Sequence, residues 1–129
     1  MMHIALPQKE LRLLGFQIQK FEQGYTVEQI RILDKIVSNI NKALEDFSVK
    51  IKDIKENKEI TDEEVTKFFE EEGSKMADLA LEDDEFQFVM LIWSRMNTLS
   101  GDELVRKSII IIDDALKSAT QPVFNKIIN

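Results

Sequence analysis

The sequence predicts an all-α protein: an antiparallel helical bundle built on one long heptad-patterned helix over about residues 27–57. Three observations predict it. Apolar residues recur at steps of three and four along most of the chain, the spacing that gathers them on one helix face. Only 4 glycines and 2 prolines interrupt 129 residues, too few for the many tight turns of a β-sandwich or barrel. Side chains that cap helices stand just ahead of three of the periodic runs. The length suits one domain, so 1–129 is read as a single helical unit. With 43% hydrophobic and 32% charged residues, a core is available and a disordered polyelectrolyte is excluded.

Met2–Leu6 reads as a short extended lead-in. Pro7 suits a first helical turn, because its missing N–H is one that no intrahelical bond would use. From Gln8 to Gln23, Leu11, Leu14, Ile18 and Phe21 share a face, and Gly24 is a natural stop. Thr26-Val27-Glu28-Gln29 is a capping box: the threonine oxygen accepts from the third residue's N–H and Gln29 reaches back. Ile30, Leu33, Val37, Ile40, Leu44, Phe47, Ile51 and Ile54 then alternate steps of three and four without a miss. A continuous helix there would be a rod of about 45 Å with a narrow seam that wants another helix beside it. Ile36 and Ala43 widen the stripe toward a multi-helix core.

Thr61-Asp62-Glu63-Glu64 is a second capping box. Val65, Phe68, Phe69, Met76, Leu79 and Ala80 give the next helix an apolar face, with a kink or break expected at Gly73. Asp83-Asp84 caps the following segment. Residues 86–96 are ambiguous between helix and strand, and helix is preferred because every neighbour is helical. Phe88, Leu91, Ile92 and Trp93 make that helix apolar nearly all round, which places it centrally or at an interface. Ser100-Gly101-Asp102-Glu103 is a third capping box. Val105, Ile109, Ile112, Leu116 and Ala119 stripe the last helix, with Asp113→Lys117 a supportive pair, and Pro122 is its expected end. The long helix is expected to pair with the 86–97 and 101–119 helices.

Net charge is −7, unevenly placed: residues 1–60 carry +1 and residues 61–85 carry −9. The acidic positions Glu63, Glu64, Glu70, Glu71, Glu72, Glu82, Asp83, Asp84 and Glu85 would repel a phosphate backbone, so direct nucleic-acid binding is disfavoured. They would attract a basic protein partner. The longest apolar runs, Phe88–Trp93 and Ile109–Ile112, fall far short of the about 20 residues a membrane span needs. With no signal-peptide core either, a cytoplasmic protein is expected.

Candidate chemistry is sparse. There is no cysteine and a single histidine, His3, so neither a thiol site nor a multi-histidine metal site is available within one chain. Glu82-Asp83-Asp84-Glu85 lacks the alternating ligands and central glycine of a calcium loop, so it reads as a solvated helix junction. Asp113 and Asp114 follow four isoleucines, and the expectation is an edge-of-core carboxylate paired with Lys117. No nucleophile elbow, phosphate loop or dinucleotide fingerprint is present. Catalytic residues, metal and cofactor are therefore all read as none.

The layout resembles a group of small helical proteins of unknown function encoded by temperate phages of low-GC Gram-positive bacteria. The resemblance is carried by the L-P-Q-K-E-L-x-x-L entry at Leu6–Leu14, the heptad helix, the charged loop and Ile112-Asp113-Asp114-Ala115-Leu116. It implies a phage or prophage setting, hence the host cytoplasm, and supplies no catalytic residue. The sequence thus predicts a non-enzymatic interaction or assembly protein that self-associates through the Ile30–Ile54 seam and the Phe88–Trp93 helix. Its alternative is a small acidic inhibitor or adaptor that occupies a basic, nucleic-acid-binding groove of a host or defence protein.

Overall fold

A computed structural model describes residues 1–20, 25–95 and 103–128, with side chains in the last stretch from 106 to 119. In chain order the described elements are β1 (Met2–Pro7), α1 (Gln8–Gln19), α2 (Val27–Ala43), α3 (Glu45–Glu56), α4 (Asp62–Glu71), β2 (Met76–Leu81), α5 (Asp83–Arg95) and α6 (Glu103–Ile128). The expected stop at Gly24 and the box at Ser100–Glu103 involve residues outside the described ones.

The protein is mostly helical, but all-α is corrected by a two-stranded antiparallel sheet. Strand β1 pairs with β2 in the register Met2↔Leu81, Ile4↔Leu79 and Leu6↔Ala77. Ile4, Leu6, Leu79 and Leu81 are fully buried, while His3, Ala5, Met76 and Asp78 face outward. This period-two burial is what a strand with one wet face produces. The lead-in is therefore a paired strand, and the helix expected to continue through Met76, Leu79 and Ala80 ends at Glu71 instead.

The reversal at 72–75 explains the change of structure. A Cβ at Gly73 would press on the Phe69 carbonyl oxygen and lie 3.1 Å from Lys9 Cβ, so only glycine lets the turn come this close. Carbonyls of the turn then receive the first N–H groups of α1: Gln8 N–H donates to Lys75 O at 2.9 Å and Lys9 N–H to Gly73 O at 3.0 Å. These are donors that a helix cannot satisfy internally, and Pro7 has none to offer.

The long heptad run is likewise divided. Helix α2 gives way to α3 at Leu44, where φ is −106° and ψ is 12°. Hydrogen bonds continue across the bend, from Leu44 N–H to Ile40 O at 3.0 Å and from Ser48 N–H to Leu44 O at 2.8 Å. A straight α-helix rotates a seven-residue stripe by about 20° per heptad. A rod of about 45 Å would also outrun a globule whose radius of gyration should be about 14 Å. The bend keeps Leu33, Ile36, Ile40, Leu44, Phe47 and Ile51 in one core with α1, β2 and α5. Helix α2 packs on β2 and α5 as well as on α1, whereas α6 packs chiefly on β1 and α1 rather than on the long run. Helix α6 also continues past Pro122, its expected end.

Candidate functional site

The seam is largely consumed by the chain's own core. Leu33, Ile40, Leu44, Phe47 and Ile51 are buried, Val37 and Ile54 are half-buried, and only Ile30 is open, at 42% exposure. Residues 86–95 are helical. On that helix Phe88, Ile92 and Trp93 are buried and Leu91 faces outward. The Phe88 ring meets Tyr25 edge to face at 5.5 Å. The Trp93 indole N–H donates to Asp113 Oδ1 at 3.3 Å and so ties α5 to α6.

The acidic residues separate into two groups. Glu63, Glu64, Glu70, Glu71, Glu82, Asp83 and Asp84 are exposed. Helix α4 has no buried residue at all. It rests on the body through stacked rings, Phe68 on Phe47 at 5.7 Å and Phe69 edge-on to Phe47 at 6.0 Å. Thr61 Oγ1 accepts the Glu64 N–H at 3.2 Å and starts the helix as its capping residue predicts. Lys67 is the one base on α4, 3.9 Å from Glu71.

Glu72 and Glu85 belong to the scaffold. Glu72 is held by Lys75 at 2.9 Å and Lys50 at 3.0 Å. These two ammonium groups, Lys75 first, keep its carboxyl below the usual range. Glu85 is buried and turns back on its own helix start, accepting the Glu82 N–H at 2.8 Å. As the third residue of α5 it supplies the back-reaching half of a capping box, at a helix start where Asp83-Asp84 was expected to cap.

Asp113 forms the expected pair with Lys117 at 2.8 Å. The Lys117 ammonium holds the Asp113 carboxyl below its ordinary value, Trp93 adds to that, and partial burial works against it. The His3 ring nitrogen lies 2.9 Å from Asp78 Oδ2 across the strand pair. Among the described residues, no three histidine, aspartate or glutamate side chains are grouped to hold a metal ion.

Two features escaped the sequence reading. Glu10 is only 1% exposed. Its Oε1 accepts from Ser108 Oγ at 3.3 Å, and its Oε2 has no hydrogen-bond partner. The available signal was spacing, because Glu10 stands four residues before Leu14 and eight before Ile18, on the buried stripe.

The second feature is a groove of about 310 Å³ between α1 and the α2–α3 run. Ile40, Leu44 and Ile51 form its floor, and Arg12, Lys52 and Lys55 line it with no acidic residue among them. The Arg12 guanidinium lies 4.7 Å from the centroid of the Phe16 ring, itself 48% exposed, a stack that fixes the cation on the groove wall. A Cβ at Gly15 would be 3.3 Å from Ile40 Cγ2, so glycine sets the close approach of α1 to α2 at this floor. The signal was again spacing: Ser48, Lys52 and Lys55 share one flank of α3.

No protein-family model, curated protein or solved structure matches the chain. Among the described residues, no helix is long and apolar enough to cross a membrane.

Proposed function

We propose that this chain is a non-enzymatic interaction protein whose working surface is its acidic edge, α4 together with the turn that opens α5. The observation that carries this reading is the placement of the acids. Seven of the nine singled-out carboxylates are exposed, four on a helix that buries none of its residues and three at the start of α5, which strand β2 separates from it in the chain. An exposed anionic edge selects a basic partner by attraction at encounter and by repulsion of anionic competitors. The partner class is therefore a protein with a basic groove, of the kind that otherwise receives nucleic acid, in the phage or prophage setting that the layout implies. Assembly through the seam has less support, since five of its eight residues are buried within the chain itself.

The test is to cross-link partners in producing cells, purify the captured protein and measure its affinity directly. Affinity should fall steeply from about 50 to about 500 mM salt and should be lost in a Glu63→Lys/Glu70→Lys/Asp83→Lys variant. A partner that binds the reversed variant equally well, or is indifferent to salt, overturns the reading.

A further inference from the structure

The groove and the acidic edge lie on opposite flanks of α3. Ser48, Lys52 and Lys55 turn toward α1 and line the groove. Lys50 turns the other way, 3.0 Å from Glu72 just beyond α4, while Phe47 stacks on Phe68 of α4 itself. A chain therefore cannot place its own α4 in its own groove. Yet the two surfaces are complementary. The groove offers three cations over an apolar floor, and among the described residues none of the three forms an ion pair. Helix α4 offers Asp62, Glu63, Glu64, Glu70 and Glu71 against the single base Lys67. Its ten residues make a rod of about 15 Å. The groove wall from Val37 to Lys55 runs about 27 Å along α2 and α3, long enough to receive it.

We propose that copies of this chain associate head to tail, the α4 edge of one seated in the Arg12–Lys52–Lys55 groove of the next. This rests on the reading of α4 as a contact surface and names a second copy as a partner for it. The contact is heterologous: each copy that uses its edge leaves its own groove open for another, so growth continues until a ring closes or a filament forms. The net charge of −7 opposes association at long range. At physiological ionic strength that repulsion is screened beyond about 8 Å, while contacts at the groove persist.

The experiment is sedimentation velocity from low micromolar to near-millimolar protein at moderate salt. Wild-type mass should rise with concentration without levelling at a dimer, and should return to the monomer in high salt. Lys52→Glu/Lys55→Glu and Glu63→Lys/Glu70→Lys should each associate at least about tenfold more weakly than wild type. All four positions are exposed, so circular dichroism should show both variants folded. Mixed together, the two variants hold one intact edge and one intact groove between them, and the reversed groove and reversed edge are also complementary to each other. Mixing should therefore restore association that neither shows alone. A wild-type monomer at every concentration overturns the proposal, as does association that survives Lys52→Glu/Lys55→Glu. That groove variant keeps its acidic edge and should bind a basic partner normally. Failure here thus leaves the proposed function standing, whereas loss of salt-sensitive partner binding removes that function separately.

Discussion

The seam of residues 30–54 and the segment 61–81 present the same kind of pattern, apolar residues at steps of three and four, and the fold treats them differently. The seam stays helical and is buried along most of its length. The second segment divides into a helix with nothing buried and a strand with Leu79 and Leu81 fully buried. Periodicity alone does not decide between the two outcomes. What decides is a neighbour: β1, remote in sequence, offers Ile4 and Leu6 as a face for Leu79 and Leu81, and the Gly73 turn lets the chain reach it.

The sharpest way to break this comparison is to place one charge in each region. Leu44→Asp puts a carboxylate at a position 4% exposed and should abolish the folded state, a cost of about 4 kcal/mol or more. Val65→Asp, on half-buried α4, should leave the thermal transition in place. Circular dichroism melts of both decide the matter, and equal losses would show that α4 is as much a part of the core as the seam.

Truncations inside the second segment sharpen the contrast. Leu79→Ala should cost about 3 kcal/mol in denaturant unfolding, and Phe68→Ala about half of that, because only the strand residue is fully enclosed. The reverse order would mean that the ring stack on Phe47, not the strand pair, anchors this region. Gly73→Ala should cost about 2 kcal/mol, since the added carbon must displace the Phe69 carbonyl or the start of α1. An unchanged unfolding midpoint would remove the close approach as the reason for glycine there.

The smallest effect is electrostatic and lies outside both regions. Asp113 has its carboxyl lowered from 3.8 by Lys117, and Lys117 is raised from 10.5 by Asp113. Asp113 therefore contributes stability above pH 3.8, which is lost as pH falls through its lower folded value. Lys117 contributes below pH 10.5, and that share is lost as pH rises through its higher folded value. Both groups are substantially exposed, so solvent screens the pair and its contribution should be the smallest of the effects named here. Unfolding followed by the fluorescence of Trp93, which donates to Asp113, should show wild type and Asp113→Asn converging as pH falls from 7 toward 3. A constant gap across that range would rule the ion pair out as its source.

Much of the helical content was legible because its signals are local. The Thr26 box is formed in full, with Gln29 N–H donating to Thr26 Oγ1 at 3.2 Å and Thr26 N–H donating to Gln29 Oε1 at 2.9 Å. The helix expected over 86–96 is present through Arg95, although the premise that every neighbour is helical fails, because strand β2 directly precedes it. The strand pair was not legible, because each partner is six residues long and neither makes sense without the other. Alternation at Ala77, Leu79 and Leu81 was present but overlapped a helical reading through Met76, Leu79 and Ala80. The bend at Leu44 has no glycine or proline to announce it, since it answers to the size of the whole globule. Of the candidate surface, the exposed acids were legible from composition. The withdrawal of Glu72 and Glu85 into the scaffold was not, because it depends on Lys50, Lys75 and the backbone of Glu82.

The pairing of β1 with β2 has a consequence for the order in which this protein is made. Its nearest partners, Pro7 and Met76, stand 69 residues apart in the sequence. At synthesis rates of about 5–20 residues per second, Met2–Pro7 waits roughly 3–14 s on the ribosome before translation of its mate begins. During that interval a short apolar strand has no native edge to join, while α1 and α2 are already available to fold beside it. Synthesis of β2 gives the strand its edge partner, and the part of β1 that α6 covers stays open until residues 103–128 follow.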